Sequence, residues 1–255
     1  MHALASFAQD WLIAALWSLL LLIAVFVPLE RLFPARIQPI FRPALGTDLA
    51  FFFGQYLMWN GLSLLVLQLI SAHLWSTLPL QAPMAIRAVF AVVLGDVLVY
   101  FFHRACHKSP LLWRFHAVHH SSEHLDFLAA HREHPIDGIL TQLAQNLPAI
   151  VLGISPRILA ALAVFRGLWA IFIHSNTRVP LGPLGYLLGS PQHHHYHHAK
   201  GQGRSNFGNL APWLDVVCGT HASPPREDYP LGIEGQPPLR FWHSLWLPFV
   251  SARRG

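Results

Sequence analysis

The fold this sequence predicts is an all-α, multi-pass membrane bundle: three spanning helices plus a helical hairpin, with a histidine-rich cap for two metal ions on the cytoplasmic side. Three observations predict it. The 255 residues are 53% hydrophobic and 11% charged, with a mean hydropathy of +0.40, where a soluble domain averages about 25% charged residues. Several apolar runs carry no formal charge over lengths that suit a bilayer. All of the 18 histidines except His2, His73, His221 and His243 fall between His103 and His198.

The first run, Trp11 to Val27, is just long enough for a roughly 30 Å hydrocarbon core at about 1.5 Å per residue. A signal peptide is disfavoured, because no Lys or Arg precedes the run and Pro28-Leu29-Glu30-Arg31 is a poor cleavage site. A basic, proline-rich loop follows, with Arg31, Arg36 and Arg42. The second run, Leu49 to about Trp75, can cross with a tilt. An uncharged turn over Ser76 to Pro83 leads into the third run, about Ile86 to Phe102. The positive-inside rule puts the Arg31–Arg42 loop in the cytoplasm, so the third span delivers His103 to that side. Two shorter runs, Ile139 to Ile154 and Arg157 to Ile173, predict a hairpin, re-entrant or fully crossing, that returns His174 to the surface holding His134. Glycines and prolines from Gly182 to Pro191 mark a loop. A second loop, Gly201 to Gly208, covers the site. No strand pattern is convincing. The divisions expected are membrane helices over 1–85, a catalytic unit over 86–221 and a peripheral tail over 222–255.

Three histidine groups carry the chemistry. His103 and His107 are spaced H-x-x-x-H. His116, His119 and His120 read H-x-x-H-H, and so do His194 and His195 followed by His197 and His198. Residues three and four apart share a helix face roughly 5–6 Å apart, so each group can aim its imidazoles at one point. His103, His107, His116, His119, His120, His194, His197 and His198 make eight donors, too many for one ion and suited to two. A metal-sticky histidine tract explains 193–198 but not the upstream groups. Asp96, Tyr100, His103 and His107 are spaced 4, 3 and 4, which predicts an acceptor network of Asp96 and Tyr100 below the ligands. Cys106 falls between the two histidine faces and reads as a small packing residue. It and Cys218 are the only cysteines, so there is neither a disulfide framework nor zinc-finger spacing.

Imidazole suits Zn, Cu, Fe and Ni. A structural zinc site is four-coordinate and usually includes Cys. Two ions with open positions fit this donor count better, and a pair of irons activates O2. Beside membrane helices such a pair suggests oxidation of a C–H bond in an apolar substrate. Two other classes stay open. A zinc hydrolase ordinarily carries H-E-x-x-H, and His131-Arg132-Glu133-His134 has a different order. A metal or haem carrier can also use paired histidines.

The histidine groups, the Asp96–His107 segment, Trp113-Arg114-Phe115-His116, Arg132-Glu133-His134-Pro135, His174-Ser175-Asn176, and Asn206-Phe207-Gly208 with Trp213, Asp215 and Gly219-Thr220 resemble the fatty acid hydroxylase / sterol desaturase superfamily over roughly residues 90 to 220. That resemblance implies an O2-dependent, non-haem di-iron oxygenase acting on a lipid. It makes the eight histidines ligands, adds His134 and His174 to the metal shell, and places Asn176 and Asn206 beside it. His193 and His195 are extra to the pattern and leave the register of the last group open. Phe207 stands where the family often has Tyr. No dinucleotide, iron–sulfur or haem motif is present, so electrons are expected from an external ferredoxin or cytochrome with its reductase. Lys108, Arg204 and Arg226 are available to dock an acidic carrier. The formal charge of +5 comes almost wholly from Arg without a basic–aromatic run, which suggests topology and phospholipid contact and no nucleic acid. The expected location is a bacterial inner membrane.

Overall fold

A computed structural model describes residues 2–74, 81–223, 228–236 and 240–250. Ten α-helices run through them: α1 His2–Leu32, α2 Leu45–Gly54, α3 Asn60–Leu74, α4 Met84–Lys108, α5 Pro110–His120, α6 Pro135–Val151, α7 Pro156–His174, α8 Pro191–His197, α9 Trp213–Val217 and α10 Phe241–Val250. Two isolated bridges, Pro34 with Thr177 and Ala199 with Leu231, are the extent of β pairing among the described residues. The uncharged turn expected at 76–83 lies largely outside those residues, as does Arg226.

Four helical stretches are long and apolar enough to cross a bilayer: Gln9–Leu32, Leu45–His73, Met84–Lys108 and Pro156–His174. The second combines α2 and α3 through a π-helical turn, Gln55–Trp59. There the Trp59 indole folds over Gly54, where a Cβ would sit 2.1 Å from it, so a glycine is needed. Trp59 is thereby buried against Phe51 and Val118 of α5. The expected hairpin is α6 and α7, joined through Gly153 at a φ of 64°. α6 packs along α4 and α3, while α7 meets α8. At the closed end Arg87 donates to the Leu152 carbonyl at 3.2 Å.

The opposite ends of the helices converge on the cap. Glu30, near the end of α1, accepts from the backbone N–H of Phe127 at 2.8 Å and of Asn176 at 3.0 Å. Ala15, Leu22 and Phe26 of α1 join Phe52, Phe127, Leu128 and Ile171 in an apolar cluster. Beside it lies a closed ionic network. Asp48, on the first turn of α2, binds Arg42 at 2.7 Å and Arg132 at 2.6 Å, and Arg42 binds Asp126 at 2.5 Å. Two cations face two anions, and all four are buried. Taking either aspartate away strands an arginine out of water, which is the costly way to break such a network.

Within the expected peripheral tail, α10 is seated on the bundle. Phe241 lies edge-on to Phe51 at 4.9 Å and Phe249 to Phe115 at 5.6 Å. Its outer face shows Trp242 and Trp246, 70% and 66% exposed. Exposed aromatic residues on a short apolar helix suit the headgroup level.

Replacing Asp48 with Asn is expected to destabilise the protein by about 3–5 kcal/mol, read as a large fall in the unfolding midpoint in detergent. In vesicles containing brominated lipids, Trp242 and Trp246 fluorescence should be quenched, and replacing both with Phe should remove that part of the quenching.

Candidate metal centre

Each histidine-bearing helix starts or stops at the site. Ser109 caps α5 by accepting from Leu112 N–H, with Pro110 at the first helical position. Ser190 does the same for α8 through His193 N–H, again followed by proline. These serine–proline starts are helix N-terminal signals. α4 ends on His107 and Lys108, and α7 ends on His174.

The side chains gather into two groups. His103, His107, His116, His120 and His197 bring their ligand nitrogens within 4.8 Å of one another, and so do His119, His174, His194 and His198. In the first group all five Nε2 atoms are buried without a protein partner. In the second, the Nε2 of His174 lies 3.0 Å from that of His119 and 2.9 Å from that of His194, and His198 Nε2 lies 3.1 Å from His194 Nε2.

The outer nitrogens reveal the tautomers. His103 Nδ1 donates to the Phe207 carbonyl at 2.8 Å, His119 Nδ1 to Arg132 at 3.1 Å, His174 Nδ1 to Ala170 at 2.6 Å and His197 Nδ1 to Ser205 at 2.7 Å. A carbonyl only accepts, so in each of these neutral rings the proton is on Nδ1 and Nε2 keeps a lone pair. His119 and His174 therefore point two lone pairs at each other across 3.0 Å. That contact is repulsive unless a cation or a proton sits between. Burial, reinforced by His116, pushes His119 down to about 4, and burial with neighbouring imidazoles holds His194, His197 and His198 well below the usual histidine range. Neutral imidazole is the form that binds metal, and a metal ion is the partner this donor set fits.

Carboxylates and loop backbone hold the rings. Asp137 accepts from His116 Nδ1 at 2.8 Å. Burial opposes its ionisation, but His116 together with His119 and His103 holds the carboxyl below its ordinary range. Glu133 lies over Gly138, where a Cβ would be 2.6 Å from Oε2. Burial, then the charge of Asp137, raise Glu133 well above the usual carboxyl range. Asp215 gathers the 206–220 loop. It accepts from the N–H groups of Phe207 and Gly208, both at 2.8 Å, from Thr220 Oγ1 at 2.7 Å and from His193 Nε2 at 3.1 Å. Phe207 can then present its carbonyl to His103.

Nine of the ten expected metal ligands are thus brought together, and His134 stands apart from them. Its Nδ1 accepts from Ile136 N–H at the start of α6 and its Nε2 donates to the Leu245 carbonyl at 3.3 Å, so it works as a helix cap tied to α10. His193 and His195 also point away, to Asp215 and to the His174 carbonyl. Neither belongs to the two converging groups. Asp96 meets a different partner. It pairs with Arg166 at 3.2 Å between two spans, because a mid-span cation on α7 is its nearest counter-charge. Tyr100 hydrogen-bonds Thr220 at 2.6 Å and packs on Phe207, so it supports His103 through the loop. Asn176 exchanges hydrogen bonds with the Arg36 backbone. Asn206, at a left-handed φ of 58°, donates to the His193 carbonyl at 3.0 Å. Cys106 packs with its Sγ 3.8 Å from Asp137. Asp137, Asp215 and Arg132 carry the arrangement but sat in the sequence as unremarkable charges. Asp137, three residues after His134, lay close enough to a histidine motif to be a candidate.

Fold and site together define a multi-pass membrane protein with a histidine-rich cluster able to bind metal. Comparison with known proteins gives the family. Residues 88–220 match the fatty acid hydroxylase family, and the chain belongs to it. Relatives include ornithine lipid hydroxylase OlsE of Rhizobium tropici, 32% identical over 188 residues, which are 72% of this chain and 55% of that protein. Alkylglycerol monooxygenase of Homo sapiens is 29% identical over 182 residues, 68% of this chain and 40% of that one. Delta(7)-sterol 5(6)-desaturase ERG3B of Gibberella zeae is 28% identical over 183 residues, 72% and 53% of the two chains. The chain therefore spans about half the length of these relatives. No solved structure matches it significantly.

Asp137→Asn is expected to weaken metal binding about 10–100-fold, measured by competition with a chelator. His174→Ala should remove about one of two metal equivalents by elemental analysis, and His197→Ala the other. Apo protein should lose stability between pH 7 and pH 5. His131, buried against Phe52, is pushed down to about 4 by that burial. The unfolded chain, with an ordinary value of about 6.5, takes up the proton first, so stability falls as pH drops below that value. The unfolding midpoint against pH checks this, with His131→Phe flattening the slope.

Proposed function

We propose that the chain is an O2-dependent, non-haem di-iron oxygenase that hydroxylates or desaturates a C–H bond of a lipid, drawing electrons from an external ferredoxin or cytochrome with its reductase. The observation that carries it is the facing pair of lone pairs on His119 and His174 within a nine-imidazole cluster. The metal shell in this reading is His103, His107, His116, His120 and His197 for one ion and His119, His174, His194 and His198 for the other. Asp137 and the Phe207, Arg132, Ala170 and Ser205 carbonyls orient these rings. Residues 86–221 form the catalytic unit on the membrane helices of 1–85. The cap faces the cytoplasm of a bacterium from its inner membrane, in line with the Arg31–Arg42 loop.

Bound iron supplies reduction of O2 and attack on a strong C–H bond. The protein holds the imidazoles neutral and fixed in one tautomer. His174 ends α7 and His103 lies in the last turns of α4, both continuous with bilayer-length apolar helices, so a lipid chain reaches the centre without passing through water. Close burial of the cap keeps water from the reacting groups. Relatives that hydroxylate, monooxygenate or desaturate lipids support the reading.

The test is iron-loaded protein in lipid nanodiscs, reduced chemically and given isotopically labelled O2 and bacterial lipid extract. Label in one lipid hydroxyl, or a new double bond formed only with O2, is the expected result. Lipid turnover that persists without O2, or a protein active with zinc alone, would overturn it.

A further inference from the structure

One cleft reaches the cluster through His107 and His120. It is about 270 Å³ in volume and is lined by His107, Trp113, His120, Ala199, Gly201, Gly203, Arg204, Gly232, Ile233 and Glu234. Two features set it apart. First, two of the candidate ligands, His107 and His120, line it directly. At Gly203 a Cβ would lie 3.1 Å from His107 Nδ1, so a side chain there would press on the imidazole. Second, it serves one group only. His107 and His120 belong to the five-histidine group, whereas none of His119, His174, His194 and His198 lines it. Of the other ligands, His194, His197 and His198 are no more than 2% exposed, and His119 is half-buried.

Trp113 packs beside both imidazoles of the lining. Its ring is 5.0 Å from that of His107 and 5.4 Å from that of His120, centre to centre, and it also lines the cleft. The surroundings carry exposed cations. Arg204 is exposed in the wall, and Lys108 is exposed one residue beyond His107. Neither has a partner among the described residues. The nearby Lys200 is neutralised by Glu123 at 3.1 Å, leaving Glu234 as the one carboxylate in the lining.

We propose that this cleft is the docking port for an acidic one-electron carrier protein, and that Trp113 is the contact through which electrons enter the five-histidine side. The inference rests on the oxygenase reading. A carrier protein is too large to enter the cap, so its electron must cross where ligands border a cleft. Here two imidazoles, His107 and His120, line the cleft, and one aromatic ring, Trp113, packs beside both. Each transfer oxidises the carrier by one electron and reduces the metal pair by one, and two transfers serve one turnover. Unpaired cations at the rim favour a negative partner and steer its approach.

The test uses full-length, iron-loaded protein in nanodiscs, with a [2Fe–2S] ferredoxin and, separately, a soluble cytochrome b domain as acidic probes. At least one probe should bind the wild type with an affinity that falls as salt rises. Arg204→Glu should weaken that binding about tenfold and Glu234→Gln should strengthen it, both with unchanged iron content; opposite signs are what a charge-steered dock requires. Trp113→Leu should bind the probe normally, yet the ratio of carrier-driven to dithionite-driven reduction rate should fall about tenfold. A wild type that binds neither probe, an Arg204→Glu protein with native affinity, or an unchanged rate ratio in Trp113→Leu would each overturn the port. Dithionite-driven lipid oxidation by the wild type is read separately. Its absence would sink the oxygenase reading, and its presence alongside a failed charge series would sink the port alone.

Discussion

An imidazole that donates Nδ1–H to a carbonyl has one lone pair left, and burial makes it costly to cover that lone pair with a proton. Aim several such rings at one point and they repel. In this chain nine imidazoles gather in two groups, four of them with Nδ1 on a carbonyl, and the surrounding fold can be read as the structure that tolerates it. A cation at each point turns the repulsion into the strongest local attraction in the molecule. The arrangement demands rigid support from outside, because rings free to turn would hydrogen-bond one another and lose the convergence.

That support comes from three directions. The spans bring His103, His107 and His174 to the surface at their C-terminal ends. The 126–132 segment, locked by the buried Arg42–Asp48–Arg132 network, presents the Arg132 carbonyl to His119. The 205–220 loop, gathered on Asp215, presents the Ser205 and Phe207 carbonyls to His197 and His103. His103, His116 and His119 are each oriented by a group outside their own helix, and His174 by the Ala170 carbonyl of its own. A change in Asp48 or Asp215 therefore acts on the centre without touching it.

The two groups are not equivalent. One has five imidazoles and borders an aqueous cleft. The other has four, includes the last residue of a spanning helix, and contributes nothing to the cleft lining. A centre lying between water and lipid can use that asymmetry, with polar traffic on one side and an apolar chain on the other. The Asp96–Arg166 pair belongs to a different task. It bridges α4 to α7 inside the bilayer-length segments, where a charge left alone would be expensive.

The sequence by itself determined the helical class, the bilayer-length runs, the hairpin that returns His174 to the cap, and the identity of most converging histidines. Those features are local: hydrophobic length, serine–proline helix starts, and side chains spaced three and four apart. What only the tertiary structure decided was the partition and the register. A run such as His193–His198 offers several faces, and nothing in its spacing says which face turns inward. The contact of His193 with Asp215 chose it. His134 sat in a motif like a ligand but lay where a helix needed a cap. Asp96 had the spacing of a supporting acceptor, yet a cation on another helix was nearer. Asp137 and Asp215 became important only once folding brought His116 and the 206–208 backbone to them. Periodicity reports the direction of a side chain along its own helix. It carries no information about which distant group waits there.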